Sequence, residues 1–194
     1  MLPGLEHHPH ARAILGAACK PGAEPSHAYL FEGPPGTGKA GVARALAAQL
    51  LAPDDPEAAG RVERGTHPDL VWVQPSGAAE MLVSDIDEPV VLAATRTPFE
   101  AQRRVFVLED ADAMNDTAAN RLLKTLDEPA PHAHLLLLTA RPAELLETIR
   151  SRCQSVRFDA LPANELARQL ETEGAPAPIA AACSRLALGD GRLA

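Results

Sequence analysis

The segment Gly33-Pro34-Pro35-Gly36-Thr37-Gly38-Lys39 holds the residue types that wrap a phosphate group. Its glycines let backbone N–H groups turn inward around an anion at angles that a Cβ would block. Lys39 adds a positive charge, and a helix starting there aims the positive end of its dipole at the same anion. The pattern follows the phosphate-loop motif until its final position, where Ala40 stands in place of the Ser or Thr that would coordinate Mg²⁺. Losing one interaction with a charged centre costs on the order of 1.5–3 kcal/mol, so ATP or ADP binding is expected to survive with weakened Mg²⁺ support.

A second chemical element is the apolar run Val105-Phe106-Val107-Leu108 ending in Glu109-Asp110. Phosphate-loop proteins place a metal-linked Asp at such a strand end and, in many, a Glu that activates water. Here the order is reversed. Glu109 is one methylene too long for the metal position, and Asp110 one too short for the base. A misplacement near 1 Å can cost on the order of a hundredfold in rate, so hydrolysis is expected to be slow. The alternative is two solvated carboxylates with no role in turnover.

These groups need strands and helices to hold them. Residues 28–31 form an apolar strand leading into the loop, and Val42, Leu46 and Leu50 recur at four-residue spacing on one face of the helix that follows. Residues 53–57 break the pattern. Further strands are expected at 70–73, 105–108, 135–138 and 156–158, and helices at 11–18 and 143–150. Ser84 with Asp87 forms a candidate cap for a helix through Val90 and Leu92, ended by Thr97-Pro98. Asp116 is the candidate N-cap of a helix whose stripe is Ala119, Leu122, Leu123 and Leu126. Short apolar strands alternating with amphipathic helices predict an α/β domain, a parallel sheet between helices, over residues 1–161. After Leu161-Pro162, Leu166 and Leu170 mark one helix and residues 179–188 another, stopping at Gly189, so residues 162–194 read as the start of a small helical domain.

Composition narrows the function classes. A chain of 194 residues with net charge −8 has no global basic footprint for nucleic acid, so any DNA contact must be local or shared. Cys19, Cys153 and Cys183 are too few and too scattered for a disulfide framework or paired zinc ligands, which fits a reducing cytoplasm. No apolar run nears the roughly 20 residues of a membrane span, and residues 15–19 lack the apolar stretch a lipoprotein leader needs. His7, His8 and His10 are expected to be solvated loop residues, since no acidic or cysteine partner shares their spacing.

Five segments, in order, carry a family likeness: residues 27–33 entering the loop, residues 65–70 (Gly-Thr-His-Pro-Asp-Leu), the acidic strand, residues 120–129 (Asn-Arg-Leu-Leu-Lys-Thr-Leu-Asp-Glu-Pro) and Ser151-Arg152-Cys153. Together they resemble the AAA+ clamp-loader family of bacterial DNA polymerase III. The resemblance implies a phosphate-loop AAA+ domain followed by a helical lid and then a collar; the chain is expected to stop before the collar. It implies that Arg152 is an arginine finger reaching the ATP of a neighbouring subunit, that Thr139 is the first sensor, and that Arg192 lies near the second. The other reading of Arg152 is a structural cap on the preceding helix. Arg121 and Lys124 would face a neighbour or DNA, or be merely solvated. Family members often carry a four-cysteine zinc module after the first long helix; residues 52–65 hold no cysteine, so no zinc is expected.

Implied partners are the gamma/tau and delta subunits, the sliding clamp and, through the assembled complex, primed DNA. Ala40, Glu109 and Asp110 are off-pattern while Arg152 is kept, which matches the member that donates a finger but hydrolyses poorly. The alternatives are an active gamma/tau-type motor, a small-molecule phosphate-loop kinase, and a scaffold that binds no nucleotide. The kinase would need an arginine-rich lid, and the tail offers Arg168, Arg185 and Arg192.

Overall fold

The computed structural model describes residues 2–20, 22–77, 80–172 and 174–186. Its centre is a five-stranded, all-parallel sheet of order β2-β3-β4-β1-β5, formed by β1 (Ala28–Glu32), β2 (Leu70–Val73), β3 (Arg104–Leu108), β4 (Ala133–Thr139) and β5 (Gln154–Arg157). The three inner strands are β3, β4 and β1, and they are apolar almost throughout because both faces are covered.

Alternation along those strands sorts the core into two layers. Tyr29, Phe31, Val105, Val107, Leu136 and Leu138 pack beneath α1 (Pro9–Ala18), α2 (Lys39–Leu51) and α3 (Pro56–Glu63). Their sequence neighbours Ala28, Leu30, Phe106, Leu108, Leu135 and Leu137 point the other way. That second layer is closed by α4 (Val83–Ile86) with the π-turn Asp87–Leu92 that continues it, α5 (Asp116–Asp127) and α6 (Glu147–Arg150). The expected α/β architecture, a parallel sheet between helices, is the one observed.

Local details differ from the sequence reading. Residues 53–57 do not simply break the pattern: Asp55 accepts N–H bonds from Glu57 and Ala58 at 2.9 and 3.0 Å and starts α3 at Pro56. The cap at α4 is made by Asp85, which accepts from the N–H of Leu82 at 2.8 Å, and not by Ser84 and Asp87. Pro89 has no N–H to give, and it lies within the π-turn. Asn115, one residue before the expected Asp116, caps α5 by accepting from Ala118 at 2.9 Å. The helix expected over 143–150 is a 3-10 turn, Pro142–Glu144, then α6, with Leu145 and Leu146 extended between them.

After β5, α7 (Ala163–Thr172) and α8 (Ala177–Leu186) pack on each other. On the opposite edge of the sheet, the Arg44 guanidinium of α2 lies 4.3 Å from the centre of the Trp72 ring in β2. The described residues contain no helix long and apolar enough to cross a membrane.

Candidate functional site

Because every strand runs the same way, the carboxyl ends of β1, β3 and β4 open on one edge, where a parallel α/β sheet offers its crevice. The loop after β1 takes left-handed turns at Gly36 (φ +71°) and Gly38 (φ +81°) and feeds directly into α2. Gly33 packs so closely on the chain leaving β5 that a Cβ there would sit 2.1 Å from the carbonyl oxygen of Phe158. Thr37 is buried, and its hydroxyl donates to the Pro34 carbonyl at 2.9 Å. Lys39 Nζ folds over the loop, donating to the carbonyl oxygens of Gly33 and Pro34 at 2.6 Å each.

A cavity of about 300 Å³ opens beside this loop. Pro35, Gly36, Gly38 and Lys39 line one wall with Ala40, while Glu109, Asp110 and Thr139 line the other. The structure therefore gathers the predicted loop, acidic pair and sensor position at one place. An adjoining lobe of about 720 Å³ shares Pro35, Glu109 and Asp110 and adds Gln74, Asp112 and Arg141. A groove of about 530 Å³ between α1, α2 and α3 lies away from this chemistry.

The acidic wall is already engaged. Glu109 accepts a short hydrogen bond from Gln74 Nε2. Asp110 is the one non-glycine with positive φ among the described residues (+47°), a strained backbone state of the kind that gathers at ligand sites. Thr139 does more than satisfy backbone: its hydroxyl donates to Asp112 at 2.5 Å and accepts from the Arg141 N–H at 2.9 Å. Arg141 completes the triad with contacts of 2.8 and 2.7 Å to Asp112 and reaches Glu144 at 2.9 Å. Gln74, Asp112 and Arg141 had no motif to mark them in the sequence.

Of the amino-terminal histidines, His7 is exposed as expected, His10 is partly buried, and His8 is buried and not solvated. His8 is 2% exposed, and its Nε2 lies 3.0 Å from the Thr37 carbonyl oxygen while its Nδ1 accepts the Asp159 N–H at 3.2 Å. Its ring packs on Phe158, centroids 4.9 Å apart. Burial holds its pKa below the usual range despite the bond to Thr37. His10 Nδ1 accepts the Arg157 N–H at 3.1 Å, and His7 meets Glu165 of α7 at 3.2 Å. Alpha1 and the residues before it thus clamp the loop to the exit of β5.

Arg152 lies outside the cavity, just beyond α6, where it contacts Asp127 and donates to the Thr148 carbonyl at 2.8 Å. Arg121 pairs with Asp87 at 2.5 Å, and Lys124 is exposed. Cys153 is partly buried against the core, and the desolvation of its sulfur pushes its thiol up to about 12, which disfavours the reactive thiolate. Arg192 and the expected stop at Gly189 lie outside the described residues.

The cradle fits a polyphosphate: two left-handed glycines, a lysine at the loop and a helix N-terminus converge on one cavity. A metal ion fits less well, since Ala40 offers no oxygen and Glu109 is held by Gln74. Residues 9–162 match the family described as "DNA polymerase III, delta subunit".

The chain belongs to that family.

The DNA polymerase III delta-prime subunit of Pseudomonas aeruginosa is 41% identical over 140 residues, 68% of this chain and 42% of that one. The delta-prime subunit of Bacillus subtilis is 38% identical over 145 residues, 70% and 43% of the two chains. A gamma/tau subunit from Mycobacterium tuberculosis is 32% identical over 179 residues, 85% and 30% of the two chains. Residue for residue, this family member is thus more like these delta-prime subunits than like that gamma/tau subunit. It spans about two fifths of the length of the delta-prime relatives. Among solved structures, a gamma subunit-related protein of Thermotoga maritima superposes with a TM-score of 0.60 at 23% identity, covering 82% of this chain and 48% of that one, a likeness of fold alone.

Proposed function

We propose that this chain works in DNA replication as the delta-prime-type subunit of a DNA polymerase III clamp loader, holding nucleotide as a structural ligand and turning it over slowly. The observation that carries this reading is the mismatch within one cavity. The loop keeps its anion-wrapping glycines and Lys39, while Ala40 beside them supplies no hydroxyl and the opposite wall has a Glu109 tied to Gln74 and an Asp110 on a left-handed backbone. Binding and turnover draw on different groups, so one can persist as the other declines.

In this role Lys39 and the loop N–H groups bind phosphate, and the clamp of His8 on Thr37 and Asp159 keeps the loop in register. Arg152 serves a neighbouring subunit's ATP site, where a planar, permanently charged fork suits developing phosphoryl charge. The partners are the gamma/tau and delta subunits, the sliding clamp and primed DNA met through the assembled complex. Residues 162–194 form the beginning of the lid, with His7 to Glu165 as one tie to the body.

Titration with a fluorescent ATP analogue, with and without Mg²⁺, alongside phosphate release tests the reading. Binding with negligible turnover is expected. Turnover near 1 s⁻¹ or faster, the low end of ordinary enzyme rates, overturns it in favour of a motor subunit. The absence of binding reduces the chain's nucleotide chemistry to Arg152.

A further inference from the structure

The Arg152 guanidinium is held on two sides by two different elements. Its Nε–H donates to a carboxylate oxygen of Asp127, the last residue of α5. Its Nη1 donates to the carbonyl of Thr148 in α6 at 2.8 Å. These bonds come from different edges of the guanidinium and so fix its plane as well as its position. Its second terminal nitrogen makes no hydrogen bond among the described residues.

The pair is too wet to be explained by folding. The Arg152 side chain is 36% exposed and that of Asp127 is 49% exposed, a setting in which ion pairs add little to stability. Orientation is what such a pair does supply. A free arginine must freeze several rotatable bonds before its fork meets an anion, and one already immobilised by a carboxylate and a carbonyl does not.

We propose that Asp127 is a positioning residue for Arg152, holding the guanidinium pre-aimed so that docking against a neighbour presents a finished fork to its nucleotide. This rests on the reading of Arg152 as a finger. It gives a distinct role to the Leu126-Asp127-Glu128-Pro129 turn: Asp127 ends α5 where it can meet Arg152 across α6, and Pro129 keeps the helix from running on.

The test is made in the assembled loader, with the neighbouring subunits unaltered. Asp127→Asn keeps the shape and removes the charge. DNA-stimulated ATP turnover is expected to fall about 10- to 100-fold in kcat, the range that small misplacements of a reacting group produce. KM for ATP is expected to stay within about twofold, because the finger acts on the transition state. In an Arg152→Ala background, Asp127→Asn is expected to cause no further loss, since the two act as one unit. Asp127→Glu, which keeps the charge, is expected to recover most of the turnover and keeps the test decisive if the Asn variant assembles poorly.

Full turnover in Asp127→Asn while Arg152→Ala is inactive overturns the proposal and leaves the finger reading standing. Additive losses, or faster turnover that would mark the pair as a restraint, do the same. Normal turnover in Arg152→Ala overturns the finger reading, and this inference with it.

Discussion

The ring of His8 and the backbone of Thr37 meet at 3.0 Å, Nε2 to carbonyl oxygen, so an imidazole at the head of α1 sits directly against the phosphate loop. Since Nδ1 accepts from the Asp159 N–H, Nε2 carries the proton and the ring is neutral.

That neutrality sets a pH dependence. Burial lowers the folded pKa of His8, outweighing the bond to Thr37 and the nearby Asp159 charge, while His7 and Lys39 push the same way as burial. The unfolded chain then takes up a proton before the folded one does. Stability is therefore full above the unfolded value of about 6.5 and falls as pH drops from there through the folded pKa. His134, also lowered chiefly by burial, contributes in the same window. The thermal midpoint is expected to be lower at pH 5 than at pH 7.5, with a shallower dependence in His8→Gln, whose amide can make both bonds without titrating.

Asp69 is fully buried and accepts three backbone N–H groups, from Phe99, Glu100 and Ala101, at 2.6, 3.0 and 2.9 Å. Burial alone would raise its pKa, but the three donors together bring it below the usual carboxylate range. Its stabilisation is present above the unfolded value near 3.8 and is lost as pH falls below it. Asp69→Asn is expected to cost about 2–4 kcal/mol. Calorimetry should then show a midpoint roughly 4–16 °C lower for a chain of this size, with part of the acid-side slope removed.

Restoring a hydroxyl tests the metal argument. Ala40→Ser is expected to tighten nucleotide about 10-fold or more in the presence of Mg²⁺, the equivalent of one hydrogen bond to a charged group, and to leave affinity in EDTA unchanged. Equal gains with and without Mg²⁺ would show that the hydroxyl acts on phosphate directly. Turnover is expected to stay low, because Glu109 remains held by Gln74.

Two glycines of the loop should respond differently. In Gly33→Ala the new methyl meets the Phe158 carbonyl, which is backbone and cannot swing away, so the loop and the exit of β5 must part. Gly38 has open space for a Cβ and carries only the strain of φ +81°. Gly38→Ala is expected to cost roughly 1 kcal/mol and Gly33→Ala about 3 kcal/mol or more, measured by urea unfolding.

The fold was legible because the inner strands are short apolar runs between turn signals, and both faces of each are covered. The phosphate loop was legible because its glycines and lysine are contiguous. What escaped were features whose cause is not local. Asp55, Asp85 and Asn115 cap helices because of the backbone angles around them, which the nearby Asp87 and Asp116 imitate in sequence. Leu145 and Leu146 look helical by composition, yet they bridge two short helical pieces and Leu145 is buried in the core. The Thr139, Asp112 and Arg141 triad ties the end of β4 to the turn after β3, Thr139 and Asp112 lying 27 positions apart, and His8 meets Asp159 across 151 positions. No spacing rule reaches that far.

The stacking of Arg44 on Trp72 has a practical side. Trp72 is the chain's single tryptophan, and its partner rides on the helix that the phosphate loop feeds. Any shift of that helix changes the distance between a cation and the indole, and with it the emission. The protein therefore carries an intrinsic optical gauge at the joint between its anion-wrapping helix and the edge of its sheet, readable without attaching a dye.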